Sequence, residues 1–205
     1  MDWPAESVMF VTDRRRLQRG SLAGLVAALA GAGLDWVQVR ERDLAGRALL
    51  ELTRDVVAAT RATATRVIVN GRPDVAAVAG AQGVQLPEGG LPVAAVRRAF
   101  PSLLIGASCH SADGIARAAA AGADFALLGP VFETPGKEER ALGVEGLRSA
   151  CQAATIPLLA IGGIDGSSAA AAWQAGARGV AAIRHFLESA PEDAVRALRR
   201  TASTP

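Results

Sequence analysis

"AAAAGADFALLG", residues 118–129, compresses a helix, a turn and a strand into one short run. The alanines suit a helix, Gly122 suits a left-handed helix end, and "DFALLG" is apolar on both faces, as a strand covered on both sides must be. The phrase returns as "AAWQAGARGVAAI" at 171–183, with Gly176 in the place of Gly122. A unit that recurs in this way predicts an α/β repeat, and the rest of the chain keeps the rhythm. Aliphatic runs at 8–12, 35–40, 66–70, 83–86, 103–108, 124–129, 157–162 and 179–183 predict strands. Helical segments follow at 20–33, 45–62, 73–80, 91–100, 111–121, 143–154, 166–175 and 187–200, with Ser111 and Asp165 as start signals for two of them.

Eight alternations predict a parallel sheet closed into a (β/α)8 TIM barrel, a single domain over residues 1–205. An open doubly wound sheet needs a glycine-rich turn after its first strand. "VTDRRRLQRG" at 11–20 supplies charge instead, and "GAG" at 31–33 precedes a strand rather than following one.

The totals narrow the function. With 22 basic and 20 acidic residues the net charge is only +2, too balanced for a dedicated nucleic-acid surface. Cys109 and Cys151 stand far apart, giving no disulfide framework and no zinc spacing. No signal-peptide pattern opens the chain, and no apolar run is long enough to span a membrane, so a cytoplasmic location is expected. The expected partner is a small phosphorylated substrate, with neither nucleic acid nor membrane; a homo-oligomer stays open.

In a barrel of this type the active site forms where strands end. Those ends are polar or glycine in an otherwise apolar chain: Thr12-Asp13, Gln38 with Arg40, Asn70 with Arg72, Gln85, Ser108 with His110, Gly162-Gly163 and Arg184-His185. Gln38 and Arg40 lie two apart on a strand and face one side. "AIGGIDGSSAA" at 160–170 ends a strand on a glycine pair and begins a helix, a combination suited to a phosphate, with Arg184 able to add a charge-assisted contact. "GPVFETPGK" at 129–137 reads as a lid in which Thr134 and Lys137 serve a phosphorylated ligand; its glycine spacing excludes a P-loop. Cys109 and His110, as strand neighbours, point to opposite faces, which places Cys109 in the core.

The ordered set "VTD", "VQVRER", "VIVNGRPDVA", "GVQLPEGGLP", "IGASCHS", "GADFALLGPVFETPGK", "PLLAIGGI" and "AGARGVAAI" resembles the thiamine phosphate synthase and thiazole tautomerase family of (β/α)8 barrels. The resemblance implies a diphosphate contact at Gln38, Arg40 and Arg42, the last standing where the family has lysine. It further implies substrate contacts at Asn70 and Ser108, lid contacts at Thr134 and Lys137, and a thiazole phosphate on Gly162 and Gly163. The two aspartates with which the family binds magnesium are Gly71 and Gly90 here. No cofactor is therefore expected, and magnesium only if the chain is a synthase. "Val-Phe-Glu-Thr" at 131–134 resembles the tautomerase branch, whose histidine after the sixth strand is Pro130 here. The first expectation is a tautomerase-like isomerase acting on a thiazole phosphate or similar ester, with His110, Glu133 and Glu41 as candidate proton-transfer groups. The alternatives are a synthase that couples a pyrimidine diphosphate to the thiazole phosphate, and a non-catalytic binder of a phosphate ligand.

Overall fold

The computed structural model describes residues 6–133 and 141–200. Strands β1 (Ser7–Val11), β2 (Trp36–Val39), β3 (Arg66–Asn70), β4 (Gly83–Leu86), β5 (Leu104–Cys109), β6 (Phe125–Leu128), β7 (Leu158–Ile161) and β8 (Gly179–Ala182) run parallel in sequence order. β8 pairs with β1 through Val8 against Val180, which closes the barrel. Helices α1 (Leu22–Gly31), α2 (Gly46–Thr60), α3 (Pro73–Ala79), α4 (Val93–Ala99), α5 (Ala112–Ala120), α6 (Gly143–Ala153), α7 (Ala169–Gln174), α8 (Arg184–Glu188) and α9 (Pro191–Arg200) lie between and after the strands. This is the expected (β/α)8 barrel. Among the described residues no helix is long and apolar enough to cross a membrane.

Strand alternation divides the core in two. Val8, Phe10, Val37, Val39, Val67 and Val69 face outward under the helices. Met9, Val11, Trp36, Ile68, Leu104, Phe125, Leu127, Leu159 and Ala181 fill the interior. Trp36 and Phe125 meet there with ring centroids 6.1 Å apart. The interior set rises to the level of Gln38 and Ser108, with which Val11 and Leu127 are in register.

The lower ends are fixed by a repeated device. The residue just before each even strand donates its N–H to the preceding odd strand: Asp35 to Val8 O, Gln82 to Val67 O, Asp124 to Ile105 O and Arg178 to Leu158 O. In the first three, the side chain also accepts the odd strand's N–H, from Val8 at 2.8 Å, Val67 at 2.7 Å and Ile105 at 2.7 Å. Arg178 has no acceptor and repeats only the backbone half. Asp35 and Asp124 are in turn held by Arg199 and Arg97, each at 2.6 Å.

Two local differences from the sequence reading have physical causes. Residues 187–200 are not one helix, because Pro191 lacks an N–H and disfavours helical geometry at Ala190; α8 stops at Glu188 and α9 restarts at Pro191. The helix expected from 166 begins only at Ala169, after a turn built on Asp165. Ser111 does cap its helix, accepting from Gly114 N–H at 3.1 Å.

Candidate active site

A cavity of about 600 Å³ opens at the carboxyl ends of β7, β8, β1 and β2, with Arg40, Glu133, Gly162, Gly163 and Arg184 among its lining residues. Five of the candidates read from the sequence are thus brought to one space. Glu188 and Ser189 also line it, at the break between α8 and α9. Their presence follows from the Pro191 interruption. Beside it, a recess of about 220 Å³ is bordered by Glu41, Arg42, Asn70 and Arg72.

The floor is neutral. Gln38 Nε2 donates to Asn70 Oδ1 at 3.1 Å, and Gln85 Nε2 donates to Ser108 Oγ at 3.0 Å. Gln38 is 3% exposed and Gln85 is 0% exposed, yet the amide oxygen of each has no hydrogen-bond partner among the described residues. A buried acceptor left open costs about 1–3 kcal/mol, and that of Gln85 lies beside Gly106 in the barrel interior.

Above the floor, the end of β2 sorts its charges. Glu41 is buried, and its carboxylate accepts from Thr12 Oγ1 at 2.6 Å, Arg14 N–H at 3.0 Å and Arg14 Nη1 at 3.1 Å. Arg14 then forks onto Asp43 with two bonds of 2.7 Å. That fork holds the Asp43 carboxyl down at about 2, against the opposing effect of desolvation. Every strong acceptor position on Glu41 is therefore engaged, which makes it a positioning group rather than an available base. Arg40 and Arg42, by contrast, form no ion pair or hydrogen bond through their guanidinium groups among the described residues. Burial lowers the pKa of Arg40, and the neighbouring charge of Arg42 lowers it further. Asp13 and Glu41 act on Arg40 only through their charge, so both guanidinium groups keep their N–H donors open to an anion.

On the β7 side, the chain after β6 lies over the glycine pair. Val131 N–H donates to Ile161 O at 2.9 Å and Phe132 N–H to Gly162 O at 3.0 Å. Gly162 and Gly163 have φ of +96° and +65°, and a Cβ on either would come within 2.6 Å of Pro130 or Phe132. Glycine is required here by the overlying chain as much as by a ligand. The helix start beyond is not free for an anion: the Asp165 carboxylate accepts from Ser167 N–H at 2.8 Å and Ser168 N–H at 3.0 Å. Desolvation opposes its ionisation, but these bonds outweigh it and keep the pKa low. A phosphate would rest on Gly162 and Gly163, with Arg184 exposed beside them at the start of α8.

His110 stands apart. Its Nδ1 is against Gly129 O, and its Nε2 lies 3.6 Å from the Glu88 carboxylate, on the rim outside the larger cavity. Cys109 faces the helices and is buried, and burial, aided by the charge of Glu88, pushes its thiol up to about 11. It is a core residue and no nucleophile. Thr134 and Lys137 lie outside the described residues. Of the three proton-transfer candidates, only Glu133 lines the larger cavity.

The chain is similar to known proteins over most of its length. The family profile described as thiamine monophosphate synthase matches residues 8–186. A putative thiamine-phosphate synthase of Geobacter sulfurreducens is 39% identical over 196 residues, covering 94% of this chain and 92% of its own. A thiamine-phosphate synthase of Roseiflexus castenholzii is 35% identical over 195 residues, covering 93% and 86%. The solved thiamine phosphate pyrophosphorylase of Pyrococcus furiosus superposes with a TM-score of 0.88 at 30% identity, covering 96% of this chain and 95% of that one. With its barrel, its polar strand ends and the match across most of its length, the chain belongs to the thiamine monophosphate synthase family.

Proposed function

We propose that this protein is a transferase that joins a pyrimidine methyl diphosphate to a thiazole phosphate, releasing diphosphate. The observation that carries the reading is a pair of recesses at the strand ends, each with an arginine in its lining that forms no ion pair among the described residues. Arg42 borders one, beside Asn70; Arg184 and the glycine pair border the other, and Arg40 reaches the latter from β2. Two anion sites on one mouth suit two phosphorylated substrates. The names carried by the relatives support the same reaction over the tautomerase expected first.

The chemistry fits a neutral floor. The C–O bond between the methylene and the diphosphate breaks, its electron pair leaves on the oxygen, and the thiazole ring nitrogen forms the new C–N bond. No proton is abstracted in that step. The chain must orient two rings, exclude water and receive the negative charge of the leaving group. Arg42, with the nearby charge of Arg40, suits the diphosphate, and Gly162 with Gly163 suit the thiazole phosphate.

A second reading, the isomerase, keeps one specific support: Glu133, in "VFET", lines the larger cavity. Incubation with both substrates decides. The transferase reading expects thiamine phosphate and diphosphate in equal amounts. Solvent deuterium entering the thiazole phosphate alone, without coupling, would replace it with the isomerase, and binding of both ligands without turnover would replace it with a binder.

A further inference from the structure

The family resemblance implies a magnesium ion held by carboxylates at positions 71 and 90, and the residues present do not fit one. Gly71 has φ +69°, and a Cβ there would lie 3.8 Å from the Pro87 ring. Gly90 closes a turn on Pro87, donating its N–H to Pro87 O at 2.9 Å across Gly89 at φ +76°. A Cβ on Gly90 would lie 3.0 Å from that oxygen and 3.3 Å from Pro87 Cδ. Pro87 thus lies against both positions. Among the described residues no three His, Cys, Asp or Glu side chains converge on a metal position.

The groups beside Gly71 carry the opposite sign. Arg42 and Arg72 border the recess with Asn70 and Glu41. Arg72 is forked onto Asp74 at 2.6 and 2.8 Å, and Glu41 is engaged by Thr12 and Arg14, which leaves Arg42 as the unneutralised charge. Its neighbour Arg40 is likewise unpaired and half-buried. A guanidinium presents a planar fork of N–H donors that a phosphate oxygen pair matches, and it repels a metal ion.

We infer that this chain binds the diphosphate of its substrate without a divalent cation, on the N–H donors that Arg42 and its neighbour Arg40 present. The inference rests on the transferase reading above and deepens it: the charge that develops on the departing oxygen is met by fixed N–H donors.

Titration calorimetry of the full chain with inorganic diphosphate, in EDTA and in excess Mg²⁺, tests it. Binding in EDTA that Mg²⁺ does not tighten is expected, with Arg42→Ala weakening it at least about tenfold and Arg42→Lys keeping part of the affinity. Arg42 is exposed, and an unchanged melting temperature of the variant ties the loss to the contact. Binding that appears only with Mg²⁺, or that survives both Arg42→Ala and Arg40→Ala, would overturn the inference. A coupling assay in EDTA separates the two claims. Product formed only with Mg²⁺ upholds the transferase and overturns metal-free handling; metal-independent diphosphate binding without product upholds the arginine pair and overturns the transferase.

Discussion

The Thr12 hydroxyl donates to the Glu41 carboxylate at 2.6 Å, while its oxygen accepts the N–H of Arg40 at 2.9 Å. One side chain from β1 therefore fixes both the acid that holds Arg14 and the backbone that carries a free cation. Glu41→Gln should lower stability by about 1–3 kcal/mol, because buried bonds to a charged group are weakened. Urea unfolding measures this. The turnover number should fall far less than the roughly 100-fold that removal of a general base entails.

The two anion sites should separate in kinetics. Arg42→Ala should raise the KM of the diphosphate substrate about tenfold and leave that of the thiazole phosphate nearly unchanged; Arg184→Ala should do the reverse. Steady-state assays that vary one substrate at a time would show it. Equal effects on both substrates would merge the recesses into one.

Restoring the family aspartates should not restore a metal site. Gly71→Asp forces a side chain onto φ +69° and should cost about 1–3 kcal/mol of stability. The double variant with Gly90→Asp should melt at the same temperature with and without Mg²⁺, since Pro87 leaves the new carboxylates no shared position.

Acid should release Arg14. In the folded chain Asp43 titrates at about 2, below the roughly 3.9 of an unfolded aspartate. A depressed carboxyl contributes stability above its unfolded pKa and loses it as pH falls towards the folded one. The difference in urea midpoint between the native chain and Asp43→Asn should be present at pH 5 and should close between about pH 4 and pH 2.

Much of this was legible in the sequence because it depends on local pattern. Aliphatic runs located the strands, and β2 alternation put Gln38 and Arg40 on the inner face. Glu41, a proton-transfer candidate from the sequence, is taken up by Thr12 and Arg14, partners 29 and 27 residues away that no local pattern shows. Pro191 marks the break between α8 and α9, which the reading of 187–200 as one helix passed over. What stayed hidden depends on the return path of the chain. Nothing in "LPEGG" shows that its turn lays Pro87 against Gly71. "IGG" shows that glycine is needed but not that Pro130 and Phe132 press on it. The Asp165 cap was visible as a helix start, but its occupation of the N–H groups offered to a phosphate was not.

After β6 the chain leaves the barrel through Pro130 and Val131, and it returns through Leu142 and Gly143, whose N–H groups donate to Pro130 O at 3.0 Å and Val131 O at 2.9 Å. Departure and return are thus buttoned together at the rim. An insert whose ends already meet can be exchanged for one of another length with little strain on β6 or α6, since closure cost grows only slowly with length. Exchanging the stretch between Val131 and Leu142 for one of another length should therefore leave the melting temperature of the barrel nearly unchanged.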